Sequence, residues 1–213
     1  MRTDDLINAL AADTKSVQQP IGRTVTLAVV AASLATLVLF LSLIGARPDF
    51  STAASTSPRF LFKFVVTLSL AVPAFLLARA ISRPDFTPNA RLLWLALAPA
   101  LLLAGTILEM TLVPKTEWHT RMEGHNSITC MVLIPMLALV PFAAIFYALK
   151  SGAPANSSMA GAIAGLLAGG IAATLYASHC TDDSPMFVAA WYPFGIVLMT
   201  ILGTLLGKRF LRW

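Results

Sequence analysis

The stretch TVTLAVVAASLATLVLFLSLIGA, residues 24–46, decides the fold. It lies between Arg23 and Arg47 and contains no charged side chain. A helix needs roughly 20 apolar residues to cross a hydrocarbon core of about 30 Å, because each residue advances it by about 1.5 Å. The stretch is longer than the apolar region of a cleaved signal peptide, and a long polar tail precedes it. It therefore indicates a retained membrane anchor.

Five more apolar runs follow, interrupted only by Lys63 near the start of the second span and Glu109 near the end of the third. The predicted spans are residues 24–46, 60–79, 92–113, 128–149, 159–177 and 186–207. The sequence thus predicts an all-α integral membrane protein, a six-helix bundle over residues 24–207. An N-terminal tail (1–23) and a short C-terminal tail (208–213) flank it.

The composition supports a lipid environment. The chain is 57% hydrophobic and 12% charged, whereas soluble domains carry about 25% charged residues. The net charge of +5 does not indicate nucleic-acid binding, because the basic residues lie at the edges of apolar runs and form no stripe of their own. We expect the lipid bilayer as a partner and no direct contact with nucleic acid.

The distribution of lysine and arginine predicts the orientation, since these residues concentrate in cytoplasmic loops. With the N-terminus inside, ten basic residues lie on the inner side and five on the outer side. The inner set is Arg2, Lys15, Arg23, Arg79, Arg83, Arg91, Lys150, Lys208, Arg209 and Arg212, and the outer set is Arg47, Arg59, Lys63, Lys115 and Arg121. Both termini are therefore expected in the cytoplasm of a multi-pass protein of the bacterial inner membrane.

Small residues repeat every four positions in the last two spans. They are Gly161, Gly165 and Gly169 in the fifth span and Gly203 and Gly207 in the sixth. Small residues at this spacing let helix backbones approach closely in lipid. Packing inside the bundle is the favoured interpretation, and a dimer face is the alternative, so the oligomeric state stays open.

The predicted outer face holds both cysteines and all three histidines of the chain. Cys130 begins the fourth span and Cys180 follows the fifth, so antiparallel packing would bring the two thiols to one level. Three interpretations are open: a redox switch or structural disulfide, a soft-metal site, or inert packing. The candidate further ligands or neighbours are His179, His125, His119, Asp182 and Asp183.

Two ionisable residues lie inside predicted spans, both near the outer ends. Lys63 is expected to extend its ammonium to the interface, and Glu109 is expected to pair with Lys63 or to be solvated. An interior with so few charges argues against an ion-coupled transporter.

The N-terminal tail has the pattern of a short amphipathic helix. Asp4 and Asp5 suit a helix N-terminus, and Leu6, Ile7 and Leu10 follow one face. Its acidic residues balance its basic ones, which weakens binding to an anionic lipid surface. The face of Leu6, Ile7 and Leu10 instead fits the groove of a cytoplasmic partner.

Four segments together resemble the NrsF family: MRTDDLINALAAD at the start, GARPDF followed by Lys63, GHNSITC before the fourth span, and LYASHCTDDSPMFVAAWY after the fifth. The resemblance covers nearly the whole chain. It implies a six-helix inner-membrane anti-sigma factor that holds an extracytoplasmic-function sigma factor at the membrane. It also implies that Cys130 and Cys180 take part in the response to heavy-metal or oxidative stress.

We therefore expect a regulator and no enzyme, with no cofactor other than a soft metal ion held transiently at the cysteine pair. A membrane thiol-redox protein is the alternative, but it would need a second thiol pair, a quinone or a haem, and the chain has two cysteines and no C-x-x-C motif. A small-solute carrier is disfavoured by the sparse interior charge.

Overall fold

The computed structural model describes residues 3–5, 7–8, 21–83, 90–152 and 154–211, and every regular element among them is helical. Residues 3–5 and 7–8 are helical, and two 3-10 segments cover Ala90–Ala96 and Lys115–Glu117. The α-helices are α1 (Ile21–Leu43), α2 (Phe50–Thr56), α3 (Pro58–Ile81), α4 (Leu97–Leu112), α5 (Trp118–Glu123), α6 (Ser127–Lys150), α7 (Ser157–Ala177) and α8 (Pro185–Phe210).

Six helices in the described ranges are long and apolar enough to cross a membrane, so the prediction of six apolar helices is confirmed. They are α1, α3, the continuous Ala90–Leu112 helix that contains α4, α6, α7 and α8. The short helices α2 and α5 lie in loops at one end of the bundle, together with residues 178–184. We call this the thiol end, because both cysteines lie there. The opposite end holds the start of α1 and the end of α8.

α7 is the central helix. In its apolar stretch 61% of the residues are buried, whereas the corresponding share is 22% in α1 and 11% in Ala90–Leu112. α3, α6 and α8 all pack on α7, whereas α1 packs chiefly on α6, and α4 lies against α8 and α3. Lipid removes the hydrophobic drive for helix association, so close packing of small side chains has to hold α7 in place.

The glycines of α7 and α8 lie against each other. A Cβ atom added to Gly161 would overlap the carbonyl of Gly203, and one added to Gly165 would overlap the carbonyl of Met199. Backbone atoms cannot rotate away from such an overlap. The two remaining glycines make the same kind of approach, Gly169 to Ile196 and Gly207 to Ser157. The small-residue stripes therefore pack α7 on α8 inside the bundle.

Candidate functional site

The two cysteines are buried at the thiol end. Cys130 lies in the first turn of α6, and Cys180 lies just beyond the end of α7. Both are free thiols with no exposed surface. They are close enough for the charge of one to act on the other. The structure thus places two buried, unbonded thiols at the thiol end, one at the start of α6 and the other in the loop of residues 178–184.

Two tyrosines lie beside the thiols. The rings of Tyr176 and Tyr192 are 5.9 Å apart between centroids, and both side chains are buried. Both hydroxyls lie near the Cys180 sulfur. Neither hydroxyl has a well-oriented hydrogen-bond partner in the part of the chain that the structure describes. The Cys180 thiol donates a weak hydrogen bond to the Asp182 carbonyl, at 3.7 Å. Burial beside the two rings raises the pKa of this thiol and favours its neutral form.

A buried ammonium holds the 178–184 loop. Lys63 is fully buried, and its Nζ lies 2.6 Å from Oδ1 of Asp183. Nζ also donates a 2.8 Å hydrogen bond to the backbone carbonyl of Cys180. Lys63, which was expected to extend its ammonium to the interface, buries it against the loop at the thiol end. Its side chain points into the bundle, because the α7–α8 loop supplies both a carboxylate and a carbonyl there.

Arg47 closes the same cluster from the other side. Its guanidinium donates to both oxygens of Asp183, at 3.1 and 3.0 Å, and to both oxygens of Asp49, at 2.7 Å each. The hydrogen bonds to Asp49 and Asp183 raise the pKa of Arg47, and the bond from Arg47 lowers the pKa of Asp49. Arg47 and Lys63 also both approach the ring of Phe60, at 5.4 and 5.2 Å. Asp183 is thus shared by two cations.

Asp182 joins the loop to the helix that carries the other cysteine. Its Oδ2 accepts the backbone N–H groups of His125 and Asn126, at 3.0 and 2.9 Å, and the Asn126 side-chain amide at 2.8 Å. A carboxylate at this position also satisfies the positive end of the α6 dipole. Gly124 allows the approach, because it has φ = 57° and a Cβ there would overlap the Asp182 carboxyl carbon. The GHN and HCTDD motifs are therefore two halves of one contact.

Glu109 anchors the last part of the loop. Its Oε2 accepts the Ser184 hydroxyl at 2.6 Å and the Met186 N–H at 3.2 Å. Its Oε1 forms ion pairs with Arg59 and Arg121, at 3.4 and 3.6 Å. The expected ion pair of Glu109 is therefore present, but its partners are Arg59 and Arg121 and not Lys63. The alternative of a solvated carboxylate is wrong, since the side chain is only 2% exposed and faces the start of α8.

The histidines lie apart from the thiols. Nδ1 of His179 is 3.0 Å from the Gly45 carbonyl, whereas His125 and His119 are exposed and lie near Asp182 and Glu123. The described residues gather no group of three or more histidine, cysteine or acidic side chains that could hold a metal ion. A soft ion at this end would therefore have the two thiols as its principal donors, and transient metal binding stays a prediction.

The proposed partner-binding tail is only partly described. Asp4, Asp5 and Ile7 lie in helical stretches and are exposed, Ile7 by 57%. Leu6 and Leu10 lie outside the described residues. The exposure of Ile7 leaves its apolar side chain available for a contact.

Sequence reasoning missed Arg47 and the two tyrosines as parts of the site. An arginine two residues before an acid in GARPDF is a signal for a local ion pair. The Lys63 signal was stronger, because an ionisable residue inside an apolar span has to find a partner. The two tyrosines gave no signal, since aromatic residues near span ends are common membrane-interface anchors.

The fold and the site together define an all-helical protein with six helices long and apolar enough to span a membrane, and with two buried free thiols near an ion-paired loop. The chain belongs to the NrsF family, since residues 10–213 match the family described as negative regulator of sigma F. It is 33% identical to the anti-sigma-F factor NrsF of Caulobacter vibrioides (strain NA1000 / CB15N), over the full length of both chains. It is also 33% identical, again over both full lengths, to the probable anti-sigma-F factor NrsF of Azospira oryzae (strain ATCC BAA-33 / DSM 13638 / PS). The family expected from the sequence motifs is confirmed, and no solved structure is significantly similar.

Replacing Lys63 by methionine should lower the free energy of unfolding by about 3 kcal/mol. Removing one partner of a buried ion pair leaves the other charge without compensation, although Asp183 keeps Arg47. The Lys63→Met/Asp183→Asn double variant should lose less than the sum of the two single variants. Equilibrium unfolding in mixed detergent micelles measures both effects. Lys115→Met, at an exposed lysine of the same end, is the control, and an equal loss in the control would contradict this role of Lys63.

The Cys180 thiol should react slowly in the folded protein near pH 7. Burial raises its pKa above the ordinary value of about 9, and the nearby Lys63 opposes this only in part. The thiolate is the reactive form. Because the folded pKa is the higher one, the neutral thiol favours folding below about pH 9, and this contribution is lost as pH rises further.

Iodoacetamide labelling of a Cys130→Ala variant, followed by mass spectrometry, tests this protection. Labelling near pH 7 should be slower in mild micelles than after unfolding in SDS, because burial lowers the thiolate fraction and excludes the reagent. The labelling rate should rise as the pH is taken toward about 10. Equal rates in the folded and unfolded protein would refute a protected thiol.

Proposed function

We propose that this protein is an anti-sigma factor that holds an extracytoplasmic-function sigma factor at the bacterial inner membrane and releases it when the cysteine pair reacts. Membership of a family of negative regulators of sigma F carries the anti-sigma role. One observation carries the sensing role: two free thiols lie together under a loop that ion pairs and hydrogen bonds tie to α3, α4 and α6.

The charge distribution supports the orientation that this function requires. The thiol end carries the smaller share of the basic residues, and the opposite end carries the larger share. By the positive-inside rule, the thiols then face the periplasm and the tails face the cytoplasm. The periplasm is an oxidising compartment, which suits a thiol sensor, and the sigma factor is reached from the other side.

The cytoplasmic tail is the proposed contact with the sigma factor. Leu6, Ile7 and Leu10 would enter an apolar groove of the partner, with Asp4 and Asp5 at the start of the helix. The exposure of Ile7 is consistent with this role. The basic inner loops would add electrostatic attraction to an acidic surface of the partner.

The thiol reaction can take either of two chemical forms. A soft divalent metal ion displaces a proton from each thiol and is held by two thiolates. Alternatively, a peroxide takes two electrons and two protons from the pair, so that an S–S bond forms and the peroxide is reduced to water. Both forms fix the start of α6 to the segment that follows α7, and neither needs a resident cofactor.

The contacts of Cys180 connect this reaction to the bundle. Its carbonyl accepts the Lys63 hydrogen bond, and the neighbouring Asp182 holds the start of α6. Movement of the Cys180 sulfur toward Cys130 therefore disturbs the anchors of α3 and α6 together. α7 packs on both of these helices and on α8, so a local thiol event can shift a two-state equilibrium of the bundle.

Co-purification from bacterial membranes tests the sensing role. The tagged chain should retain a sigma factor that mass spectrometry identifies, and Cd²⁺ or diamide should lower its recovery by at least about tenfold, equivalent to 1.4 kcal/mol of differential binding. The Cys130→Ala and Cys180→Ala single variants and the Cys130→Ala/Cys180→Ala double variant should retain the sigma factor under both reagents. Equal release from the double-alanine variant would show that the thiols are not the sensor.

The tail contact has its own test. Leu6→Asp/Leu10→Asp should abolish recovery of the sigma factor while the protein stays in the membrane, because carboxylates replace two apolar contacts. Asn8→Asp, which adds a charge on the other side of the predicted helix, is the matched control and should retain binding. Full recovery with the Leu6→Asp/Leu10→Asp variant would refute the tail as the binding element.

A further inference from the structure

We propose that an anionic phospholipid of the surrounding membrane binds in a cleft between α3 and the Ala90–Leu112 helix, with its phosphate on the arginines at the opposite end of the bundle. The cleft has a volume of about 720 Å³. Its walls are mostly apolar side chains, among them Leu68, Val72, Leu76, Trp94 and Leu97. All five of these side chains are more than 40% exposed to the surroundings of the bundle.

Arginines surround the mouth of this cleft. A smaller space of about 170 Å³ adjoins it, and Arg79, Arg83 and Arg91 line that space. Leu76 and Arg91 line both spaces, so the apolar cleft and the basic mouth are continuous. All three arginines are exposed. Arg79 and Arg83 thus offer guanidinium groups to an anion at the mouth. The cleft offers apolar walls to the chain that carries the anion.

The charge at this end fits an anion. Among the acidic residues that the structure describes, only Asp4 and Asp5 do not belong to the thiol end. The other described charges at this end are basic and include Arg23, Lys150 and Lys208. Asp85 lies within residues 84–89, outside the described ranges. Guanidinium groups bind phosphate through paired N–H donors, which makes a phosphate headgroup a better match than a neutral one.

The depth of the cleft favours a lipid over a protein segment. From Leu68 to Leu77 the cleft follows α3 for about 13 Å, close to the ~15 Å that one leaflet contributes to a ~30 Å hydrocarbon core. An extended peptide segment at this depth would leave backbone N–H and C=O groups without partners in hydrocarbon. An acyl chain has no such groups. The cleft therefore matches one acyl chain under a phosphate at the interface.

Native mass spectrometry of the full chain in detergent, with phosphatidylglycerol or phosphatidylcholine added, tests the proposal. Phosphatidylglycerol should bind at least about tenfold more tightly, and Arg79→Gln/Arg83→Gln should remove that preference, because the two substitutions remove the positive charges that attract an anionic lipid. Lys208→Gln/Arg209→Gln, at the same end but outside the cleft, is the control and should keep it. Equal binding of the two lipids by the native chain would overturn the proposal.

A second variant separates the cleft from the arginines. Val72→Trp fills the cleft with an indole ring at an exposed position and leaves all three arginines in place, so it should also lose phosphatidylglycerol while its melting temperature is kept. Unchanged binding would show that the lipid lies elsewhere. Displacement of the lipid by inorganic phosphate at equal concentration would indicate a free-anion site and overturn the lipid assignment. Lipid binding that appears only in the Asp4→Asn/Asp5→Asn variant would show that the acidic tail occupies the arginines of the native chain. That result would also overturn the lipid assignment.

Discussion

The Lys63 ammonium is fully buried between helices and touches the Asp183 carboxylate at 2.6 Å. An unpaired ammonium in an apolar bundle is strongly unfavourable, so this contact fixes the position of the α7–α8 loop. It requires the α7–α8 loop to fold back over the start of α3. It also places the Cys180 carbonyl on the same Nζ atom, at 2.8 Å. The position of Cys180 is thus set by a charge pair and not by apolar packing alone.

The rest of the loop follows from the same principle. Its contacts with Lys63 and Glu109 satisfy charged groups that would otherwise be buried without a partner. Asp182 satisfies the first N–H groups near α6, and Ser184 gives Glu109 a hydrogen bond from the start of α8. Arg47 brings the segment after α1 into the cluster. One short loop therefore connects the ends of all six long helices near two thiols, so a small chemical change there can have a large structural effect.

The contrast between what the sequence predicted and what it missed has a physical basis. The six helices follow from apolar length, a local property of each run, and the glycine stripes follow from a spacing that is visible within one helix. Consecutive long helices run in opposite directions, so the start of the fourth and the end of the fifth, and with them the two cysteines, lie at the same end of the bundle. The partner of Lys63 does not follow from a local pattern, because Glu109, Asp182 and Asp183 are all acids near the same end of the bundle. The arginine partners of Glu109 also lie outside its own helix. The choice among the three acids depends on how α3 and α8 are rotated about their axes, which only the packed bundle determines.

Hydrogen exchange of the protein in lipid nanodiscs, before and after Hg²⁺ binds the thiols, tests the central claim that the 178–184 loop couples the thiols to the whole bundle. We predict faster exchange at residues 124–130 and 178–184, and also at the opposite end, in residues 79–83 and 148–152. The Cys130→Ala/Cys180→Ala variant should show neither change. A response confined to the thiol end, or the same response without the cysteines, would contradict the account.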